Sequence, residues 1–240
     1  MSYLIKKDED LQQFLLLDFS AHKSLKLDLK KSQIKDEGIK QLAIGLETCV
    51  NNLYRFQIIM DNTKFEIQSI QILFQKISIC KNLQILKVSL NQLDFRQGAY
   101  QVGKQLALFE NLINLDIEFN QSSIDSQAAA QFCEEIGKIQ KLEILTLDFY
   151  ANQIKENFAL NMSSGLSLSK KLFDLSIDLR FNQLQDQGMQ AFGIGLKKCK
   201  YVKVLALQTK YNSSTVFGNN KLIQNILKMD RLVVNKIDIQ

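Results

Sequence analysis

Apolar and polar residues alternate in short stretches that recur along the chain. In Leu25–Leu29 and again in Leu175–Leu179 every second residue is apolar, as in a β-strand that buries one face. After the first of these stretches the spacing changes, because Ile39, Leu42 and Leu46 lie three or four residues apart and mark the buried stripe of a helix. Each unit therefore predicts a strand, a turn, a helix and a return to the next strand.

The units recur with a period close to 30 residues. The first apolar positions of successive predicted strands are 29 to 31 residues apart. A period that is kept through seven units does not readily arise by chance. It predicts a solenoid, in which each unit buries its apolar face against its neighbours. An eighth, partial unit contains Ile237 and Ile239, with the polar Asn235 at the expected first position. The seven first positions are Leu25, Phe56, Leu86, Leu115, Leu145, Leu175 and Leu205.

A small polar residue follows nearly every predicted strand. Such side chains hydrogen-bond to the backbone in tight bends, which predicts a turn at this position of each unit. Leu93 in the third unit is the exception. The polar turn positions are Ser32, Thr63, Ser122, Asn152, Asn182 and Asn212.

The best-formed unit resembles a known repeat. From Leu172 to Leu184 the chain reads Leu-x-x-Leu-x-Ile-x-Leu-x-x-Asn-x-Leu, which resembles the leucine-rich repeat. The longer helical half, with Gly188 and a closing Cys199, resembles the ribonuclease-inhibitor-like subtype. The resemblance implies an α/β fold: a right-handed solenoid, or horseshoe, of about seven to eight strand–turn–helix repeats with a parallel sheet on its concave face. Phe56 and the missing turn Asn of the third unit depart from the repeat pattern.

The repeats divide the chain into three parts, which we expect to form a single leucine-rich repeat domain over residues 1–240. The parts are an N-terminal cap segment at 1–21, seven repeats of about 30 residues at 22–231 and a terminal strand at 232–240.

The two ends of a solenoid need cover, because an end repeat has a neighbour on one side only. After an acidic start, Leu11 and Phe14 predict a cap helix over Asp10–Phe19, since acidic residues favour a helix N-terminus. A degenerate half-repeat is the alternative. At the other end the terminal strand presents an open edge, which either its own polar residues protect or another chain covers.

Composition and charge narrow the classes of function. Apolar residues make up 46% of the chain and charged residues 23%, as in ordinary soluble proteins. The net charge of +5 comes from 30 basic and 25 acidic residues, which is too balanced to indicate a nucleic-acid partner. No apolar run is long enough to span a membrane, and no secretory signal is evident at the N-terminus. We therefore expect no membrane partner and a cytoplasmic location, cytoskeletal and ciliary assemblies included.

Catalytic and metal-binding patterns are missing from the sequence. The single histidine, His22, has no partner that its sequence context identifies, and we expect it on a surface turn. The four cysteines form no Cys-x-x-Cys pair. Three of them, Cys49, Cys80 and Cys199, share one repeat position, which indicates packing at a helix end. We expect no enzymatic activity, no metal and no cofactor.

The strand residues that point away from the core carry the best candidate site. Side chains alternate along a strand, so Glu118, Asp148 and Asp178 should form a ladder of like charges on neighbouring strands. Such a ladder costs stability. Either it is only a solvated face or it binds a basic segment of a partner protein. The candidate partner-binding residues are Asp116, Glu118, Asp148, Tyr150, Asp178 and Arg180.

Lysines collect elsewhere, at Lys197, Lys198, Lys200 and Lys203, with Lys170–Lys171 one repeat earlier. They suit the negative end of a helix, and RNA binding would require them to dominate over the acidic ladder. The favoured function is a non-enzymatic protein–protein interaction module, an accessory or scaffold subunit of a larger assembly. The alternative that the subtype implies is regulation of an enzyme, such as a small GTPase or a nuclease, by occlusion.

Overall fold

The chain forms one parallel sheet in which consecutive strands are neighbours. The computed structural model describes residues 1–49, 52–96 and 98–239. Within them, nine strands pair in the order in which they occur in the sequence, and every pair is parallel. The strands are β1 (Ser2–Leu4), β2 (Ser24–Asp28), β3 (Arg55–Ile59), β4 (Ile85–Ser89), β5 (Asn114–Glu118), β6 (Ile144–Asp148), β7 (Asp174–Asp178), β8 (Val204–Gln208) and β9 (Val234–Asp238).

A helix connects each strand to the next, and each helix packs against the helix that follows it. A short 3-10 helix, Leu46–Cys49, continues α2. This open parallel sheet with alternating helices is consistent with the α/β leucine-rich repeat solenoid that the repeat pattern predicts. The helices are α1 (Asp8–Leu15), α2 (Asp36–Gly45), α3 (Ile67–Ser78), α4 (Gly98–Leu106), α5 (Ser126–Ile136), α6 (Glu156–Leu166), α7 (Gln185–Leu196) and α8 (Val216–Ile226).

The strand register confirms the period of 30 residues. Leu25 pairs with Phe56, Leu145 with Leu175 and Leu205 with Asn235, so the predicted first positions lie in one row across the sheet. Residues in this row face the helices and are buried from Leu25 to Leu205. Burying each large apolar side chain contributes about 1.5–3 kcal/mol, and the neighbouring repeats provide the burial.

The turn position works as the sequence predicts, through amide side chains that bridge repeats. Asn182 Oδ1 accepts a hydrogen bond from the Ile154 amide at 3.0 Å, and its Nδ2 donates to the Phe149 carbonyl at 2.9 Å. Asn152 and Asn212 make equivalent bonds. At the exceptional position Leu93 is buried, and its amide donates to Ser122 Oγ at 3.4 Å.

The residue before each turn position adopts a left-handed backbone, and no glycine occupies this column. The φ angles lie between 52° and 62°, where a side chain costs about 1–2 kcal/mol. The chain reverses here, and all of these side chains except Ala151 are exposed. This left-handed column consists of Lys31, Asn62, Gln92, Gln121, Ala151, Phe181 and Tyr211.

The N-terminal segment forms a strand and a helix, and the prediction of a cap helix over Asp10–Phe19 is wrong in extent. The helix spans Asp8–Leu15, and β1 precedes it and extends the sheet by a strand that the sequence analysis missed. Phe19 lies beyond the helix and stacks on Phe14, with 4.5 Å between ring centroids. Phe19 is therefore buried by its contact with Phe14, although it lies outside the helix.

At the C-terminal end, β9 pairs with β8. Its apolar positions are poorly covered, because Ile237 is only partly buried and Val233 and Val234 are exposed. Asp238 forms an ion pair with Lys210 at 2.7 Å, which places charge at the edge of the sheet.

Candidate partner-binding surface

The predicted acidic ladder exists as a set of direct cross-strand neighbours. Glu118 on β5 is paired with Asp148 on β6, and Asp148 is paired with Asp178 on β7. All three lie on the face of the sheet that points away from the helices, since the residue that precedes each of them in its strand is buried against the helices. The alternation of side chains along the strands therefore predicts the positions of these three carboxylates correctly.

Two cations neutralise much of the ladder, which the sequence analysis did not anticipate. Lys87 Nζ lies 2.7 Å from Asp116 Oδ2 and 3.3 Å from Glu118 Oε1. The hydrogen bond to Asp116 raises the pKa of Lys87. Ser89 Oγ and Asn91 Nδ2 also donate to Glu118, at 2.9 and 3.1 Å. Asp116 and Glu118 are thus held by the preceding repeat rather than left bare.

Asp178 is neutralised by Arg180, two residues after it. Arg180 Nε lies 3.0 and 2.9 Å from the two carboxylate oxygens of Asp178, whose side chain is only 9% exposed. The Arg180 amide donates to the same carboxylate. The hydrogen bond to Asp178 raises the pKa of Arg180. The arrangement covers the carboxylate and fixes the orientation of the guanidinium.

Asp148 differs from the other members of the ladder. Among the described residues it has no ion pair, although the Tyr150 amide donates to its Oδ1 at 3.0 Å and the Asn120 side chain also hydrogen-bonds to it. Burial raises the pKa of Asp148, and the neighbouring charges of Asp178 and Glu118 raise it further. Asp148 is therefore a partly desolvated carboxylate that a cation from a partner would stabilise.

Three aromatic rings form a row beside Asp148, and two of them are exposed. The rings of Tyr150 and Phe181 meet edge to face at 5.1 Å, and those of Phe181 and Tyr211 stack at 4.3 Å. The Arg180 guanidinium lies 5.3 Å from the Tyr150 ring. Phe181 and Tyr211 are 44% and 51% exposed, so the row presents apolar area to solvent.

The sequence analysis missed Phe181 and Tyr211, because both lie in the left-handed column rather than in the alternating strand positions. The available signal was their spacing, since two aromatic residues stand 30 residues apart at one repeat position. The structure places them in ring contact with Tyr150, one of the six predicted residues. We call the combined set the sheet-face surface: Asp116, Glu118, Asp148, Tyr150, Asp178, Arg180, Phe181 and Tyr211.

Other candidate chemistry has a structural role. His22 is half-buried, with its ring edge on Phe19 at 5.6 Å. Burial raises the pKa of the Cys199 thiol to about 12 and raises that of Cys133 as well, so neither thiol is reactive at neutral pH. The side chain of Cys49 lies outside the described part of the structure.

Searches for metal sites and membrane spans gave no candidate in the part of the chain that the structure describes. It contains no group of three potential metal-ligating His, Cys, Asp or Glu residues. None of its helices combines the length and the apolar composition that crossing a bilayer requires.

Comparisons with known proteins agree with the fold. A family model described as Leucine Rich repeat matches residues 21–43 and 175–193, which contain β2 and β7. A search of curated proteins found no match. Leucine-rich repeats generally mediate protein–protein interactions and are typically non-enzymatic. These two segments are therefore similar to leucine-rich repeats, and the nine-stranded parallel sheet of the described residues is consistent with that fold.

Proposed function

We propose that the chain is a non-enzymatic protein-interaction module whose partner docks on the sheet-face surface. The observation that carries this proposal is the row of rings formed by the half-buried Tyr150 and the exposed Phe181 and Tyr211, beside Asp148, which has no ion pair among the described residues. Tyr and Arg are enriched among the residues that dominate binding energy at protein interfaces. Aromatic rings also supply large contact area with few rotatable bonds, so ordering them on binding costs little entropy.

The surface is prepared for a partner before binding. Phe181 and Tyr211 are held by stacking, and Arg180 is fixed between the Asp178 carboxylate and the Tyr150 ring. Side chains that are already ordered lose little freedom when a complex forms. The left-handed backbone at Phe181 and Tyr211, which they share with the equivalent residue of the other repeats, further restricts these residues.

Charge indicates a basic segment in the partner. The surface carries four carboxylates, Asp116, Glu118, Asp148 and Asp178, against two cations, Lys87 and Arg180. A lysine or arginine that reached Asp148 would replace the water lost by this carboxylate and would lie near the Tyr150 ring, where a cation–π contact adds about 0.5–2 kcal/mol. We therefore expect a basic residue of the partner to contact Asp148, and apolar residues of the partner to contact Phe181 and Tyr211.

An accessory or scaffold subunit of a larger cytoplasmic assembly fits these features. The chain is composed of repeats, and the surface spans β5 to β8, which gives a docking face rather than an enclosed pocket. A standard interface buries about 800 Å² on each partner. The nine strands of the described residues, about 4.8 Å apart, extend the sheet to roughly 40 Å, so a partner that buries such an area must reach beyond β5 to β8 along the sheet.

The test is affinity purification of the tagged native protein with quantitative mass spectrometry. The variant carries Phe181→Ala and Tyr211→Ala, and the matched control carries Phe217→Ala and Tyr54→Ala, which remove one exposed Phe and one exposed Tyr elsewhere. We expect the sheet-face variant to lose its stoichiometric partners and the control to keep them. Equal recovery from both variants would overturn the proposal, provided that circular dichroism shows both to be folded.

Regulation of an enzyme by occlusion is a second candidate. We infer it from the resemblance to the ribonuclease-inhibitor-like subtype, and it is favoured by the 12-residue helix α7 followed by the buried Cys199. A regulator would change the turnover of a co-purified enzyme when added to it in stoichiometric amounts, whereas a scaffold would leave that turnover unchanged.

A further inference from the structure

Basic side chains surround two adjoining clefts where α7 and α8 end and the chain returns to the sheet. The clefts have volumes of about 410 and 550 Å³ and share Lys197 and Lys200. One cleft also contains Lys228 and Arg231, and the other contains Lys170 and Lys198. We call these six residues the basic cleft: Lys170, Lys197, Lys198, Lys200, Lys228 and Arg231.

Helix ends do not account for all of this charge. Lys197 and Lys228 lie next to the ends of α7 and α8, at Leu196 and Ile226, and there a cation is stabilised by the helix dipole. That effect falls off beyond the last turn. Lys200 and Arg231 lie four and five residues past the helix ends, so their position needs another explanation.

The cations of the basic cleft also have no acidic partner in the described part of the chain. No ion pair to any of the six occurs within residues 1–49, 52–96 and 98–239, whereas Lys76, Lys87 and Lys138 elsewhere are bridged to carboxylates. Asp230 is the one acidic residue that lines either cleft. The cleft therefore holds a local excess of positive charge that an anionic group would neutralise.

Apolar residues line the same clefts. Ile194 and Tyr201 lie in the wall of the larger cleft and are exposed. The Arg231 guanidinium lies 5.6 Å from the Tyr201 ring, and the exposed Leu227 directly precedes Lys228. The surface thus combines unpaired cations with aliphatic and aromatic area.

We propose that the basic cleft binds an acidic segment of a partner protein in which apolar residues alternate with carboxylates. Charge complementarity favours carboxylates, and the exposed Ile194 in the wall of the larger cleft favours an apolar group that a nucleic acid does not offer. Nucleic-acid surfaces instead stack bases on several aromatic platforms, and the clefts contain one ring, Tyr201. Aspartate and glutamate side chains with interspersed leucines are therefore the chemistry that fits.

The basic cleft is separate from the sheet-face surface. Its residues lie before the first residue of β7, β8 or β9, whereas Asp178 ends β7 and Tyr211 follows β8. A five-residue strand separates the two sites by about 17 Å. A partner could therefore occupy each site independently, and a failure at one site leaves the proposal for the other untouched.

The experiment measures binding of the full-length protein to labelled probes by fluorescence anisotropy at 150 mM salt. The probes are a 15-residue Glu/Leu peptide, a 15-residue oligoglutamate and a 15-nucleotide oligouridylate. One variant carries Lys197→Glu, Lys200→Glu and Arg231→Glu, and a second carries Ile194→Ser. The matched control carries Lys7→Glu, Lys31→Glu and Arg96→Glu, which change the net charge equally at residues outside the cleft.

We expect the Glu/Leu peptide to bind at least tenfold more tightly than oligoglutamate or oligouridylate. The cleft variant should lose this binding by at least tenfold, the control should retain it, and Ile194→Ser should weaken the peptide several-fold without changing oligoglutamate. Undetectable peptide binding, an equal loss in the control, or tighter binding of oligouridylate would each overturn the proposal. Far-ultraviolet circular dichroism of each variant verifies that the solenoid remains folded.

Discussion

The Arg180 guanidinium is fixed on Asp178, the carboxylate two residues before it, with Nε 3.0 and 2.9 Å from the two oxygens. Because the Asp178 side chain is 9% exposed, removing Arg180 would leave a nearly buried charge without its partner. We expect Arg180→Met to lower the free energy of unfolding by about 1–2 kcal/mol, measured by urea denaturation.

The double variant Asp178→Asn/Arg180→Met distinguishes the ion pair from general packing. With the carboxylate gone, Arg180→Met should cost clearly less than in the parent protein. If Arg180→Met costs the same in both backgrounds, the guanidinium stabilises the fold by packing on Tyr150 rather than by pairing with Asp178.

This ion pair also shows why the sequence predicted the candidate site only in part. Alternation along the strands is enough to place Asp148 and Asp178 side by side, and the register confirms it. Which cation reaches a carboxylate depends on side-chain conformation, which a repeat pattern does not contain. The ladder was therefore predicted as bare charge, although Lys87 and Arg180 neutralise part of it.

The same distinction applies to the fold. The period of 30 residues predicts the strands from Leu25 onwards, because packing against neighbouring repeats imposes one register. It does not predict β1, whose three residues Ser2–Leu4 are too few for alternation to be recognised. Phe181 and Tyr211 escaped notice for another reason, since a left-handed turn column has no hydrophobic periodicity.

Buried amides at the turn position should dominate local stability. Asn182→Ala would remove the acceptor for the Ile154 amide and the donor to the Phe149 and Leu179 carbonyls, leaving buried backbone groups without partners. We expect a loss of about 2–4 kcal/mol in the free energy of unfolding. The exposed neighbour Gln183 is the control, and Gln183→Ala should change stability by less than about 0.5 kcal/mol. Similar values for the two variants would show that water replaces the amide of Asn182.

Close packing of α5 and α6 depends on Gly165. A Cβ added there would lie 2.5 Å from the backbone N and Cα of Glu134, so the two helices would have to separate. We expect Gly165→Ala to destabilise the protein by about 1–3 kcal/mol and to lower its melting temperature.

Gly45 provides the comparison, because an added Cβ would meet the movable Cδ2 of Leu15 at 2.3 Å rather than backbone. Alanine favours helix over glycine by about 1 kcal/mol, which offsets part of the clash. Gly45→Ala should therefore melt at a higher temperature than Gly165→Ala, and the reverse order would contradict the proposed helix contact.

The charge on Asp148 should lower stability at neutral pH. Burial holds the pKa of Asp148 above its usual value, so the folded protein binds this proton more readily than the unfolded chain does. The resulting stabilisation is complete below the unfolded pKa and is lost as the pH rises through the folded pKa. We expect Asp148→Asn to melt at a higher temperature than the parent at pH 7, and the difference to disappear as the pH falls below about 4.

Asp186 is the matched control with the opposite sign. Its carboxylate accepts hydrogen bonds from the Thr215 amide and hydroxyl at 2.6 and 2.8 Å, and the amide bond lowers the pKa of Asp186. Its stabilisation is present above the unfolded pKa and is lost as the pH falls through the folded pKa, so Asp186→Asn should melt at a lower temperature than the parent at pH 7. Thermal melts from pH 3 to pH 8 compare the two variants, and a destabilised Asp148→Asn at pH 7 would contradict the burial argument.

If Asp148→Asn is more stable and also binds the partner more weakly, then the carboxylate is retained for binding at the expense of stability.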